Sequence, residues 1–149
     1  MALLLVACAP TGAPPQPSPS GPVSECGTQV QRGAQPAWLV AAGAGNNPSG
    51  VPYVMTTPAI AAGFLFGYPL TAGRTNPSNK ILWVVGRPRA SSSLDISARS
   101  GGRSVSLSLP PDSGPGEIYP SIVDVPGPGC WHIELRWGGN TAAVDLLYR

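Results

Sequence analysis

Residues 24–149 are predicted to fold as an all-β domain, an immunoglobulin-like antiparallel β-sandwich of about 7–9 strands, on three observations. Short β-type runs are separated by turn residues at the spacing of a sandwich or barrel. No window of a dozen residues repeats apolar positions at the helical period. Nineteen Gly and nineteen Pro among 149 residues preclude long helices, where each interior Gly costs ~1 and each Pro ~3 kcal/mol. The length allows one domain, and a 42% hydrophobic content is enough for one small core.

The runs fall at 37–41, 51–56, 60–66, 80–85, 94–98, 104–109, 121–125, 130–137 and 141–148, separated by segments such as GAGNNPSG, RPRASSS and PGPG with clear turn chemistry. Lys80-Ile81-Leu82-Trp83-Val84-Val85 is apolar on both sides of the pleat, which predicts a central strand covered on both faces. Leu94, Ile96 and Ala98 alternate with Asp95 and Ser97. Val105, Leu107 and Leu109 alternate with Ser104, Ser106 and Ser108, so these two strands have a wet outer face. In the last two runs, Trp131, Ile133, Leu135 and Trp137 share one face, as do Ala142, Val144, Leu146 and Tyr148. Gly138-Gly139-Asn140 supplies the positive φ angles of a tight hairpin. Setting Leu135 opposite Val144 puts Ile133 opposite Leu146 and Trp131 opposite Tyr148. It also sets Glu134 opposite Asp145, a like-charge pair that requires Arg136 or Arg149 diagonally between them, or a bound cation. The alternation assigns Trp83 and Trp131 to the core.

The chain begins MALLLVACAP, with an apolar run from Ala2 to Ala7 ahead of Cys8. Leu5-Val6-Ala7-Cys8 resembles the lipobox of bacterial lipoproteins. That resemblance implies a signal-peptide remnant over 1–7 and a Cys8 that carries a diacylglyceryl group and palmitate-type acyl chains as the first residue of the mature protein. No Lys or Arg precedes Leu3, a departure from the positively charged start of a signal peptide; the competing reading is a buried N-terminal strand with a core cysteine. Residues 9–22, APTGAPPQPSPSGP, hold no aromatic or charged side chain and lack the apolar surface to offset ordering entropy. Residues 8–23 therefore read as a disordered, lipid-anchored linker, extended at ~3.1 Å per residue where polyproline geometry prevails. The expected location is extracytoplasmic, on the cell membrane.

Three Cys is an odd count, and setting Cys8 aside for lipidation leaves Cys26 and Cys130 as a disulfide candidate. The alternative is two inert buried thiols. A zinc site is poorly served, since it needs four ligands and His132 is the sole imidazole.

NKILWVVGRP (79–88), PSIVDVPGPGCWHIEL (120–135) and AVDLLY (143–148) together resemble a set of uncharacterised bacterial secreted proteins and lipoproteins, frequent in Actinobacteria and Chloroflexi. Their shared features are a K-[IV]-L-W-V-V strand, a P-S segment and a P-G-C-[WY] strand start. The resemblance spans roughly residues 26–149 and implies an exported β domain, with no activity attached.

Catalysis needs a nucleophile with a base, a carboxylate pair or a metal. His132 and Glu134 share a strand face, so a small hydrolase using this pair is one alternative function, but no Ser lies in a G-x-S-x-G elbow. Gly43-Ala44-Gly45-Asn46-Asn47 is followed by Pro48, which denies it the helix of a phosphate-binding fingerprint. Asp112 and Glu117 flank a Gly/Pro loop but fall short of the 6–8 oxygens that calcium takes. No catalytic residue, cofactor or metal is expected. A net charge of +2 with scattered arginines argues against nucleic acid. The aromatic residues offer a binding face instead, with Trp38, Tyr53, Tyr68 and Trp137 as candidates. The expected function is a lipid-anchored binding or structural module of the cell envelope, whose partners are the membrane, through Cys8, and an envelope protein or polysaccharide. A carbohydrate-binding module using exposed aromatics is the second alternative.

Overall fold

The alternating apolar runs become eight strands among the described residues: β1 (Tyr53–Met55), β2 (Ala61–Leu65), β3 (Lys80–Val85), β4 (Leu94–Ser100), β5 (Arg103–Leu109), β6 (Ile118–Ile122), β7 (Gly129–Trp137) and β8 (Asn140–Tyr148). The computed structural model describes residues 26–47, 49–73, 79–111 and 114–149; Cys8, the 1–7 remnant and the 8–23 linker lie outside them. The strands form two antiparallel sheets, ordered β1-β2-β3-β6 and β5-β4-β7-β8. After β4 and β5 the chain returns to lay β6 beside β3, then crosses to lay β7 beside β4, the Greek-key connectivity of an immunoglobulin-like sandwich. Inward side chains of both sheets form one core, with Trp83 and Trp131 both fully buried. β3 is covered on both sides as expected: Ile81, Trp83 and Val85 face the core, while Val84 joins a second cluster on the outer side.

That second cluster exists because residues 37–41 are not a strand. Ala37–Leu39 makes a single α-turn, α1, which continues as a wider helical turn over Val40–Ala44 and stops at Gly43, whose φ is 104°. Leu39 and Ala42, three apart and so on one helical face, are buried against Tyr53, Phe64 and Val84 on the outer side of the first sheet. The apolar run 37–42 is too short for its period to separate helix from strand, and its alanines favour the helix. β6 also starts earlier than expected, at Ile118 rather than Ser121. Val123 and Val125 are core residues beyond its end.

The closing hairpin is tighter than expected. Gly138 and Gly139 have φ of 49° and 80° and form a two-residue turn, with Trp137 paired to Asn140. The register is therefore displaced by two residues: Leu135 faces Ala142, Ile133 faces Val144 and Trp131 faces Leu146. A shift of two leaves every side chain on its own face, so the apolar stripe survives. The like-charge pair does not. Glu134 faces Ala143, and His132 faces Asp145.

Two seams join the sheets. Thr57 pairs with Ala143 of β8, and Gln31 pairs with Tyr53 of β1, which carries the segment after Cys26 along one side of the sandwich. At one end of the molecule, Ala72 N donates to Arg149 O (2.7 Å) and Arg149 N to Leu70 O (3.0 Å). The buried Asn79 binds Thr71 and Asp124 there. At the other end, the largely buried Arg89 donates to Gly114 O and Ile118 O, and its backbone N–H donates to the Glu117 carboxylate at 2.6 Å.

Candidate functional site

Cys26 and Cys130 are disulfide-bonded, with 5.4 Å between their Cα atoms and 104 residues between them in sequence. Cys130 is the second residue of β7, next to the rung where Gly129 meets Tyr148. Since Arg149 bonds Leu70 and Ala72, the disulfide lies at the end of the sandwich where β2 finishes, β3 begins and the chain after β2 reaches across to the end of β8. The chain preceding Cys26 joins the domain at this end.

The four aromatic candidates are scattered. Tyr53 is 1% exposed and stacks on Phe64, and its hydroxyl donates to Ala34 O at 2.8 Å. Burial raises its pKa above the ordinary tyrosine value. Trp137 is 2% exposed, and its indole N–H donates to Arg87 O. Trp38 is half-buried with its ring over Gly86, where a Cβ would stand 2.9 Å from Cζ3. Tyr68 alone is exposed, at 42%. A sugar-stacking row built from Trp38, Tyr53, Tyr68 and Trp137 is therefore not formed, because two of the four fill the cores that hold the sheets together.

Expected alliances among the charged groups also change. His132 Nδ1 lies 2.7 Å from Asp145 Oδ1, and Glu134 is instead 2.7 Å from Arg136. The His132–Glu134 pair that a hydrolase reading requires is absent, a direct result of the two-residue register shift. His132 is largely exposed and Asp145 partly so, in a shallow depression beside Thr28 and Thr57. Of the loop carboxylates, Asp112 is outside the described residues, and Glu117 is engaged by Arg89 rather than free for calcium. No cluster of three or more metal-ligating side chains occurs among the described residues. Asn47 closes its loop by accepting from Val51 N and donating to Val51 O, so Gly43–Asn47 is an ordinary turn.

The surface feature that stands out was not among the candidates. In the first sheet Phe66, Lys80 and Ile122 form one outward row: Phe66 N donates to Lys80 O, and Lys80 pairs with Ile122. Phe66 is 51% and Ile122 55% exposed, although both are large and apolar. α1 covers the same sheet face further along and leaves this row open. The ammonium of Lys80 sits 5.3 Å from the Phe66 ring centroid, and two residues on the Arg32 guanidinium sits 5.7 Å from that of Tyr68. Each cation is thereby held over an exposed aromatic ring. One signal for this face was present in the composition. From Cys26 to Leu94 there is no Asp or Glu, whereas Arg32, Arg74, Lys80, Arg87 and Arg89 all fall in that span.

Among the described residues no helix is long and apolar enough to cross a membrane. Comparison with protein-family models, with curated proteins and with solved structures finds no match to this chain.

Proposed function

We propose that this chain is a lipid-anchored, extracytoplasmic module of the bacterial cell envelope that binds or braces a partner without catalysis. The Cys26–Cys130 disulfide carries the reading, because disulfides persist in oxidising compartments and are rare in the cytosol. The lipobox-like Leu5-Val6-Ala7-Cys8 lies 18 residues ahead of the bonded Cys26, with the Pro-rich segment between. In this reading an acylated Cys8 holds the chain at the membrane, and the Pro-rich segment spaces the sandwich from it. The sandwich, braced by its disulfide, then presents loops and sheet faces to an envelope protein or polysaccharide.

The test is fractionation of cells producing the full chain or its Cys8→Ser variant, with a radiolabelled fatty acid supplied to the culture. The native chain is expected to take up label and to partition with membranes, and Cys8→Ser to lose both. Equal partition and labelling of the two forms would refute the anchor.

A further inference from the structure

We infer that the Phe66–Lys80–Ile122 row, with Tyr68 and Arg32 beside it, is a docking surface for an anionic lipid bilayer. Three observations converge on that occupant.

The first is chemistry. Phe66, Ile122 and Tyr68, at 51, 55 and 42%, are the three most exposed large hydrophobic side chains among the described residues. Both of the aromatic rings carry a cation, Lys80 over Phe66 and Arg32 over Tyr68. Apolar side chains that enter the acyl boundary, ringed by Lys and Arg at headgroup depth, are the pattern of interfacial membrane binding.

The second is charge. No acidic side chain lies between Cys26 and Leu94, the span that supplies β1, β2, β3 and both cations. Among the described residues, the carboxylate at this end of the sandwich is Asp124, whose Oδ1 accepts from the backbone and side-chain nitrogens of Asn79 at 2.9 and 2.8 Å. Lys80 and Arg32 therefore outnumber Asp124 at this end, and basic side chains in excess beside an anionic surface favour binding to it.

The third is position. Cys26 is bonded to Cys130, which faces outward from the other sheet but at the end of the sandwich that carries the row, so the segment leading back to Cys8 leaves the domain at that end. A chain held to a bilayer by that segment would turn this end toward it. The inference goes beyond the anchor, since the row should bind lipid in a chain that carries no acyl group.

The experiment uses the full-length Cys8→Ser chain and sedimentation with vesicles of phosphatidylglycerol and phosphatidylcholine, against vesicles of phosphatidylcholine alone. Variants Phe66→Ser/Ile122→Ser and Lys80→Glu are made in the same background, so any contribution of residues 1–25 is common to all. Thermal unfolding confirms that each variant is folded, as expected for exposed positions. Binding should favour the anionic vesicles and weaken with salt. It should fall roughly five- to tenfold in Lys80→Glu, and by at least as much in the apolar double variant. Absence of binding to anionic vesicles would overturn the inference. So would binding that the folded double variant retains in full; if soluble polyphosphate then competes, the face is a polyanion site. Because no lipid is attached in this assay, its failure leaves the Cys8 anchor untouched, and failure of the anchor leaves this result standing.

Discussion

Gly63 lies directly opposite Trp83 in the β2–β3 register, and a Cβ added to Gly63 would meet the indole Cζ3 at 2.7 Å. The glycine is thus the floor on which the largest core side chain rests. Gly63→Ala should destabilise the domain by about 1–3 kcal/mol, since Trp83 is enclosed and has nowhere to move. Gly127→Ala provides the contrast: the atom a methyl would meet is the far end of the Arg103 side chain. That guanidinium lies over Trp131 and bonds Pro128 O, and it swings aside at a cost of roughly 1 kcal/mol. Urea unfolding of the two variants should rank Gly63→Ala as clearly the less stable. The reverse order would contradict the packing described.

Reduction of the Cys26–Cys130 bond opens a loop spanning 104 residues. In the chain-entropy model a cross-link of that length contributes up to about 4–5 kcal/mol. A lower thermal midpoint is expected in dithiothreitol and, by the same amount, in Cys26→Ser. An unchanged midpoint in reductant would show that the bond does not restrain the unfolded chain.

Alkaline pH should weaken the fold through its buried tyrosines. Burial raises the pKa of Tyr148, and the nearby Asp124 charge raises it further. Its hydroxyl donates to Val123 O at 2.8 Å. Burial also raises Tyr53 and Tyr119. A pKa raised in the native state means that above about pH 10 the unfolded chain releases protons the folded chain retains. Stability is therefore full below pH 10 and falls as pH rises through the window above it, by up to about 1.4 kcal/mol per pH unit for each such group. Unfolding free energies from pH 8 to 11 should show that decline, with a shallower slope in Tyr148→Phe. A flat profile would contradict the burial of these hydroxyls.

Most of the sandwich was legible because its signals are local. The alternation from Trp131 to Trp137 and from Ala142 to Tyr148 assigned inner and outer faces correctly, and the two-sided apolar character of 80–85 marked β3 as central. The register of the last hairpin was not legible, since a displacement of two residues preserves every face and only the Gly138-Gly139 turn geometry decides it. That displacement moved Asp145 from Glu134 to His132. The helical segment 37–44 escaped because its apolar residues are continuous, and so Trp38 was read at a strand start. The aromatic candidates failed at Tyr53 and Trp137 for a related reason: sequence position near a turn says little about exposure when a neighbouring loop folds over the ring. Phe66 and Ile122 fell within the runs 60–66 and 121–125, and membership of a strand does not tell an open sheet face from a covered one. The missing covering layer over their row is a property of the assembled sheet.

The pairing of Thr57 with Ala143 also bears on how the molecule behaves in a crowd. Edge strands invite sheet-to-sheet polymerisation through unpaired backbone groups. Here β8 is occupied by Thr57 and by the Thr28 hydroxyl, which accepts from Asp145 N, and β1 is occupied by Gln31. β6 carries Pro120, which offers no N–H. β5 keeps an open edge, with Ser104, Ser106 and Ser108 alternating along it behind Arg103. Copies packed side by side on one surface would thus find three of the four edges obstructed, and since a growing fibre needs two open edges on every copy, backbone pairing would stop at a β5-to-β5 pair.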